Sequence, residues 1–204
     1  MTTILKDIVR KSPVGPWLVR RHRLRYVQKH IAFYRSFIGP NDVVFDVGAN
    51  VGWRTLAFWR LGRRVVAVEP QPSCADALAR LFSGDRRVIV CPCALGAASG
   101  EAELHLCDES VLASLSSEHI RTVSESGRFA GKEWKRSIRV PVRTLDELIE
   151  GYGEPAFIKI DVEGFESEVI QGLSRPIAAL SIEYTPEEHH RAVECLSLLD
   201  DLGI

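Results

Sequence analysis

Asp46-Val47-Gly48-Ala49-Asn50-Val51-Gly52 follows the apolar run Val43-Val44-Phe45 and opens a helical run from Trp53 to Leu61. A strand, a glycine-rich turn and a helix start make an anion-friendly or nucleoside-friendly pocket at the carboxyl end of a sheet. Gly48 and Gly52 let the backbone approach a ligand, and Asn50 accepts a left-handed conformation at modest cost. Asp46 sets the sign of the guest. A carboxylate two residues before the first glycine repels the pyrophosphate of a dinucleotide and attracts the ammonium and sulfonium of S-adenosylmethionine. Downstream, Arg64-Val65-Val66-Ala67-Val68-Glu69-Pro70 reads as a buried strand ending in an acid. Glu69 falls about 20 residues past the turn, where a carboxylate can accept both ribose hydroxyls. This second acid suits NAD equally, so it supports a nucleoside cofactor without choosing between the two.

A third cluster, Ile158-Lys159-Ile160-Asp161-Val162-Glu163-Gly164-Phe165-Glu166, leads an apolar strand into an acid. Asp161 is placed beside the reacting end of a cofactor held at the first motif. Glu163 and Glu166 fall where a helix start stabilises anions, and capping explains Glu166 without further function. With Glu183 at another strand end, four acids converge on one rim, as expected of a site that handles a cation or removes a proton. Asp161 is the first candidate base, then Glu163 or Glu183. His189 and His190 match neutral pH better but neighbour Glu187-Glu188, which reads as a solvated helix face. A metal clamp from Asp161 with Glu163 or Glu183 would need octahedral geometry that spacing does not establish, so no metal is assigned.

These residues need a frame. Strands at 43–47, 65–69, 88–91, 157–161 and 179–183 alternate with helices at 53–61, 73–81 (capped by Ser73), 146–150, 166–171 and 186–199. Such alternation gives a parallel sheet covered on both faces. Glu101–Cys107 and Ser137–Val142 read as two further strands. The polar stretch from Glu109 to Arg136 between them reads as a mobile lid, with Phe129 and Trp134 able to close over a substrate.

The 204 residues, 46% hydrophobic and 26% charged, fit one soluble α/β domain, read as residues 42–204, behind a basic helical segment at 1–41. That segment holds nine Lys or Arg against one Asp, in a chain of net charge −1. Its densest part, Arg20-Arg21-His22-Arg23-Leu24-Arg25, is read as a basic face lying on the acidic body of its own domain. Nucleic acid, an anionic membrane and an acidic partner are the alternatives. No run approaches the roughly 18 apolar residues of a membrane span, and the N-terminus lacks a secretory core, so a cytoplasmic address is expected. The five cysteines are read as free thiols.

The motifs DVGANVG, AVEP, CALG, VLASLSS, TLDEL, IKIDVEGFE and SIEYTPE stand in this order between Asp42 and Glu187. In this the chain resembles the FkbM-type methyltransferases. The resemblance implies a class I Rossmann-like methyltransferase fold, a three-layer sandwich. It also implies methyl transfer from S-adenosylmethionine, usually to a hydroxyl of a sugar, glycan or natural product. By the same resemblance Asp46, Gly48, Asn50 and Glu69 map to cofactor binding, Ala94 and Leu95 to the wall beside the adenine, and Asp161, Glu163 and Glu183 to the acceptor. A sheet of that class continues past strand five into two more strands, for which no sequence follows Ile204. Strand five is then expected at an edge, open to self-association. The competing functions are a nicotinamide oxidoreductase, disfavoured by the G-x-x-x-G spacing of Gly48 and Gly52, and a non-catalytic protein that binds nucleic acid through its basic segment.

Overall fold

The computed structural model describes Arg25 and residues 27–204. In chain order it contains β1 (Val43–Val47), α1 (Trp53–Arg60), β2 (Arg64–Val68), α2 (Pro72–Leu81), β3 (Val88–Cys91), β4 (Ala94–Leu95) and β5 (Gly100–Leu106). There follow α3 (Ser117–Glu125), β6 (Arg136–Arg143), α4 (Leu145–Tyr152), β7 (Phe157–Ile160), α5 (Glu166–Gln171), β8 (Leu180–Ile182) and α6 (His189–Asp201). Short 3₁₀ turns lie at Ser110–Leu112 and Pro186–Glu188.

Five strands form the central sheet in the order β3-β2-β1-β7-β8, and every neighbouring pair is parallel. The order reverses between β1 and β7, which opens a crevice at their carboxyl ends. Period-2 alternation sorts the strand residues between two faces. Phe45, Val47, Val66, Val68, Ile158 and Ile160 pack with Leu148, Val169, Ile170, Cys195 and Leu199, so α4, α5 and α6 cover one face. Val44, Val65, Ala67 and Phe157 pack with Tyr34, Phe58 and Leu78, so the N-terminal helix, α1 and α2 cover the other. The fold is the expected α/β three-layer class with a parallel central sheet, and β3 and β8 are its edge strands.

A second sheet, β4-β6-β5, rises over the crevice. β5 and β6 pair antiparallel from Gly100↔Val142 to Leu106↔Arg136, and β4 joins β6 in parallel at Ala94↔Val142 and Leu95↔Arg143. The polar stretch read as a lid contains a helix, α3, where loop conformations were expected. The Ser116 hydroxyl caps that helix by accepting the His119 N–H, and His119 and Val123, four apart, supply its buried face. Two other helix starts also differ from those expected. α2 starts from Gln71 with Pro72 in its first turn rather than from Ser73, and Thr144 caps α4 by accepting the Glu147 N–H.

Helical residues 27–34 dock on the domain. Val27, Tyr34 and Ile38 are buried, and the Tyr34 ring lies 4.5 Å from Phe58 and 5.3 Å from Phe157, centroid to centroid. Phe33 and Phe37 remain half exposed. Of the basic clump only Arg25 is among the described residues; the rest of that reading lies outside them. All five cysteines are free thiols, and no described helix is long and apolar enough to cross a membrane.

Candidate functional site

A cavity of about 280 Å³ occupies the crevice, lined from β1, β2 and β7 below and from β4 and the Ser110–Leu115 stretch above. Its size lies near the lower end of small-molecule sites. Gly48, Asn50, Glu69, Ala94, Leu95, Asp161, Glu163 and Glu183 all line it, eight of the ten residues anticipated from sequence. A second cleft of about 100 Å³ adjoins it, lined by Arg128, Phe129, Gly164, Tyr184 and Arg191 among others. Asp161, Glu163 and Glu183 line both.

The strand ends approach so closely that only glycine fits at position 48. Its φ is +73°, and a Cβ there would lie 1.8 Å from the Asp161 carbonyl oxygen. Asn50 is left-handed at φ 48°, with its side-chain oxygen accepting the Val51 N–H at 2.9 Å. This turn presents the Asn50 N–H to Glu69 Oε2 at 2.7 Å, while Glu69 Oε1 accepts the Gln71 N–H at 2.8 Å. Each carboxylate oxygen keeps a further acceptor position. Burial raises the Glu69 pKa, and the two N–H donors only partly offset it. A hydroxylated guest restores solvation that this carboxylate has lost, which is the fit expected of a ribose diol.

Two anticipated ligands are placed elsewhere. Asp46 is fully buried and does not line the cavity. Register pairs it with Lys159 on the α1 face of the sheet, where Thr55 Oγ1 donates to its Oδ2 at 2.6 Å and Lys159 Nζ lies 3.5 Å from its Oδ1. Lys159 is shared between Asp46 (3.5 Å) and Asp161 (3.1 Å), and the acids that line the cavity are Asp161, Glu163 and Glu183 with Glu69. Gly52 is also outside the cavity. A Cβ there would meet Leu78 Cδ2 at 2.6 Å, so its role is the packing of α1 against α2.

Lys159 was not singled out in the sequence, although it stands in the IKIDVEGFE motif. It donates to the carbonyls of Val47 (3.2 Å) and Gly48 (3.0 Å) and lies 3.1 Å from Asp161 Oδ2, tying the β1 and β7 ends together. Burial lowers its pKa, but Asp46 and Asp161 overcome that and leave it raised. Glu183, solvent-exposed at the end of β8, is raised to about 7, first by its hydrogen bond with Asp161, then by partial desolvation and the nearby charges of Asp161 and Glu163. Glu166, read as a helix cap, instead braces the turn before its helix: its Oε1 accepts the N–H groups of Val162 (3.0 Å) and Gly164 (3.4 Å). His189 and His190 are exposed and line neither opening, in keeping with a solvated helix face. A buried histidine that the sequence reading passed over, His119, lies behind Glu163 instead. Its only signal in the sequence was its place three residues after a capping serine.

Residues 46–203 match the methyltransferase FkbM domain. The chain belongs to that methyltransferase family. It is 28% identical over 182 residues to the hexuronic acid methyltransferase AglP of Haloferax volcanii, covering 87% of this chain and 67% of that protein. It is 31% identical over 197 residues to the methyltransferase sdnD of Sordaria araneosa, covering 82% and 75%. Among solved structures, the precorrin-6y C5,15-methyltransferase of Geobacter metallireducens superposes with a TM-score of 0.50 at 12% identity, over 87% of this chain and 70% of that one. That likeness is one of fold. In this FkbM-domain methyltransferase the matched region begins at Asp46 and takes in both openings, the strand ends beneath them and the α3 segment above.

Proposed function

We propose that this methyltransferase uses S-adenosylmethionine to methylate a hydroxyl group of a sugar, glycan or natural product. The observation that carries the reading is the sharing of Asp161, Glu163 and Glu183 by the larger cavity and the adjoining cleft. A cofactor in the first opening and an acceptor in the second would meet at these carboxylates. When bound, S-adenosylmethionine supplies an electrophilic methyl group on a sulfonium. Glu69 is suited to the ribose hydroxyls, Ala94 and Leu95 to the flat face of the base, and the three acids to the cationic end.

Methyl transfer to oxygen requires that the acceptor proton leave. Asp161 has Lys159 at 3.1 Å and Glu163 has His119 at 3.7 Å, whereas among the described residues no cation lies within ion-pairing distance of Glu183. The carboxyl raised to about 7 is therefore the one suited to take the hydroxyl proton near neutral pH. Once Glu183 holds the proton it can donate a hydrogen bond to Asp161, which favours its protonated form. Phe129 and Tyr184 flank the cleft, offering faces for a sugar ring, and the Haloferax relative, named for a hexuronic acid, supports a sugar acceptor. Self-association through the β8 edge is part of the same reading, and sedimentation velocity on the purified chain measures it.

Titration calorimetry with S-adenosylmethionine and NAD tests the cofactor, and mass spectrometry of a cell extract incubated with methyl-deuterated cofactor tests the acceptor. Binding of the first ligand alone and a deuterated methyl on oxygen are expected. Absence of S-adenosylmethionine binding, or label on nitrogen or carbon, sinks the reading.

A further inference from the structure

His119 stands at a junction of three segments. It is 1% exposed in α3, and its Nδ1 hydrogen-bonds the carboxylate of Glu188, itself 2% exposed. Its Nε2 faces Glu163 Oε2 at 3.7 Å. A neutral imidazole carries one N–H, whereas the imidazolium presents one to each carboxylate. Burial lowers the His119 pKa, but the neighbouring Glu163 and Glu188 carboxylates outweigh it and leave the ring titrating above its ordinary value. The second Glu188 oxygen accepts from Arg191 Nε at 3.0 Å. Arg191 also donates to the Gly164 carbonyl (3.1 Å), the Ser116 hydroxyl (3.4 Å) and Glu118 (2.8 Å). The charged groups around the ring are thus Glu163 from the turn after β7, Glu188 and Arg191 from the start of α6, and Glu118 on its own helix.

Glu163 is the residue this assembly acts upon. Its φ of 53° is unfavourable for a side chain larger than glycine's and persists only where the surroundings over-determine it. They do so here. Ser114 Oγ donates to the Glu163 carbonyl at 2.6 Å, and the imidazole lies so close to Gly164 that a Cβ there would be 2.5 Å from His119 Cγ. Backbone and carboxylate of Glu163 are therefore both held from the α3 side, at the boundary of the two openings.

We infer that His119, backed by Glu188, is a positioning residue that orders the Glu163 carboxylate toward the bound cofactor. The inference rests on the cofactor reading above. Positioning of this kind leaves Glu183 as the carboxyl free to exchange the acceptor proton. It also couples the α3 segment, whose neighbouring Ser110, Val111, Ala113 and Leu115 wall the cavity, to occupancy of that cavity.

Imidazole nitrogen-correlated NMR on the full chain, with S-adenosylmethionine as the probe, tests this without an acceptor. The His119 signal is expected to titrate above free imidazole. Glu163→Gln and Glu188→Gln are each expected to lower its midpoint by about one pH unit or more, the effect of removing one opposite charge. S-adenosylmethionine is expected to displace the signal in the wild type but not in Glu163→Gln, since the message passes through that carboxylate. An unchanged titration in Glu163→Gln, or an equal displacement there, would make His119 a packing residue and overturn the inference. The Glu163 side chain is one quarter exposed, so this variant keeps the test available even where Glu188→Gln fails to fold. Absence of S-adenosylmethionine binding in the wild type fails the cofactor reading, while the titration of Glu163→Gln still decides whether His119 engages Glu163.

Discussion

The larger cavity and the adjoining cleft meet at the same three carboxylates, yet they are built differently. The cavity floor comes from the ends of β1, β2 and β7, joined by ladder hydrogen bonds and by Lys159, and each ligand candidate there sits within a few residues of a strand end. The cleft is assembled from Arg128 and Phe129, the turn after β7, the end of β8 and the start of α6, held by side chains such as Arg191. A site made of backbone is set by the sheet, and its substitutions should register as stability or affinity. A site made of side chains over a stable sheet can change its chemistry with little cost to the fold.

The largest expected effect breaks the floor. Lys159→Met leaves Asp46 buried without its counter-charge and should cost about 3–5 kcal/mol in urea unfolding. In the cleft, Glu183→Gln should change stability by no more than about 0.5 kcal/mol but lower turnover of the identified acceptor by about 100-fold. Equal stability losses in the two variants would erase the contrast. Next, Glu69→Gln should weaken S-adenosylmethionine binding by about ten- to a hundredfold in calorimetry, through loss of a charge-assisted contact. Asp46→Asn should weaken it less while destabilising the fold more, because Asp46 touches Lys159 and Thr55 rather than the cavity.

A smaller effect concerns pH. The His119 pKa is raised on folding, so its stabilisation is fully present below the unfolded value of about 6.5 and is lost as pH rises through the folded value. Unfolding free energy should fall across that window, and the slope should flatten in His119→Gln. The smallest is a change in motion. Amide exchange across residues 110–125 should slow on adding S-adenosylmethionine, because Ser110 to Leu115 line its cavity; exchange that is indifferent to ligand would separate wall from cofactor.

The same contrast governs what the sequence revealed. The parallel sheet, the Gly48–Asn50 turn, Glu69 and Asp161 were legible because period, turn chemistry and strand ends are local properties. Asp46, read as a cofactor ligand, lies buried and outside the cavity lining. Strand alternation puts it on the α1 face beside Lys159, and only the β1/β7 register, a long-range property, sets that partner. His119 was invisible for a related reason. Its partners Glu163 and Glu188 lie 44 and 69 residues away, and the polar stretch around it reads as a loop until the Ser116 cap and the buried Val123 are seen together. The sequence also underestimated the second sheet, since the β4 strand is two residues long and gains its identity only by pairing with β6.

Lys159 carries a further consequence in chemical labelling. Its ammonium is enclosed by the Val47 and Gly48 carbonyls and by two aspartates, and the residue is 5% exposed. An amine-acylating reagent reaches it only when β1 and β7 separate, an event that dismantles the centre of the sheet. Exposed lysines such as Lys135 acylate at the rate of the folded surface. The ratio of the two modification rates, read by peptide mass spectrometry, therefore makes Lys159 an internal clock for opening of the core in unpurified as well as purified material.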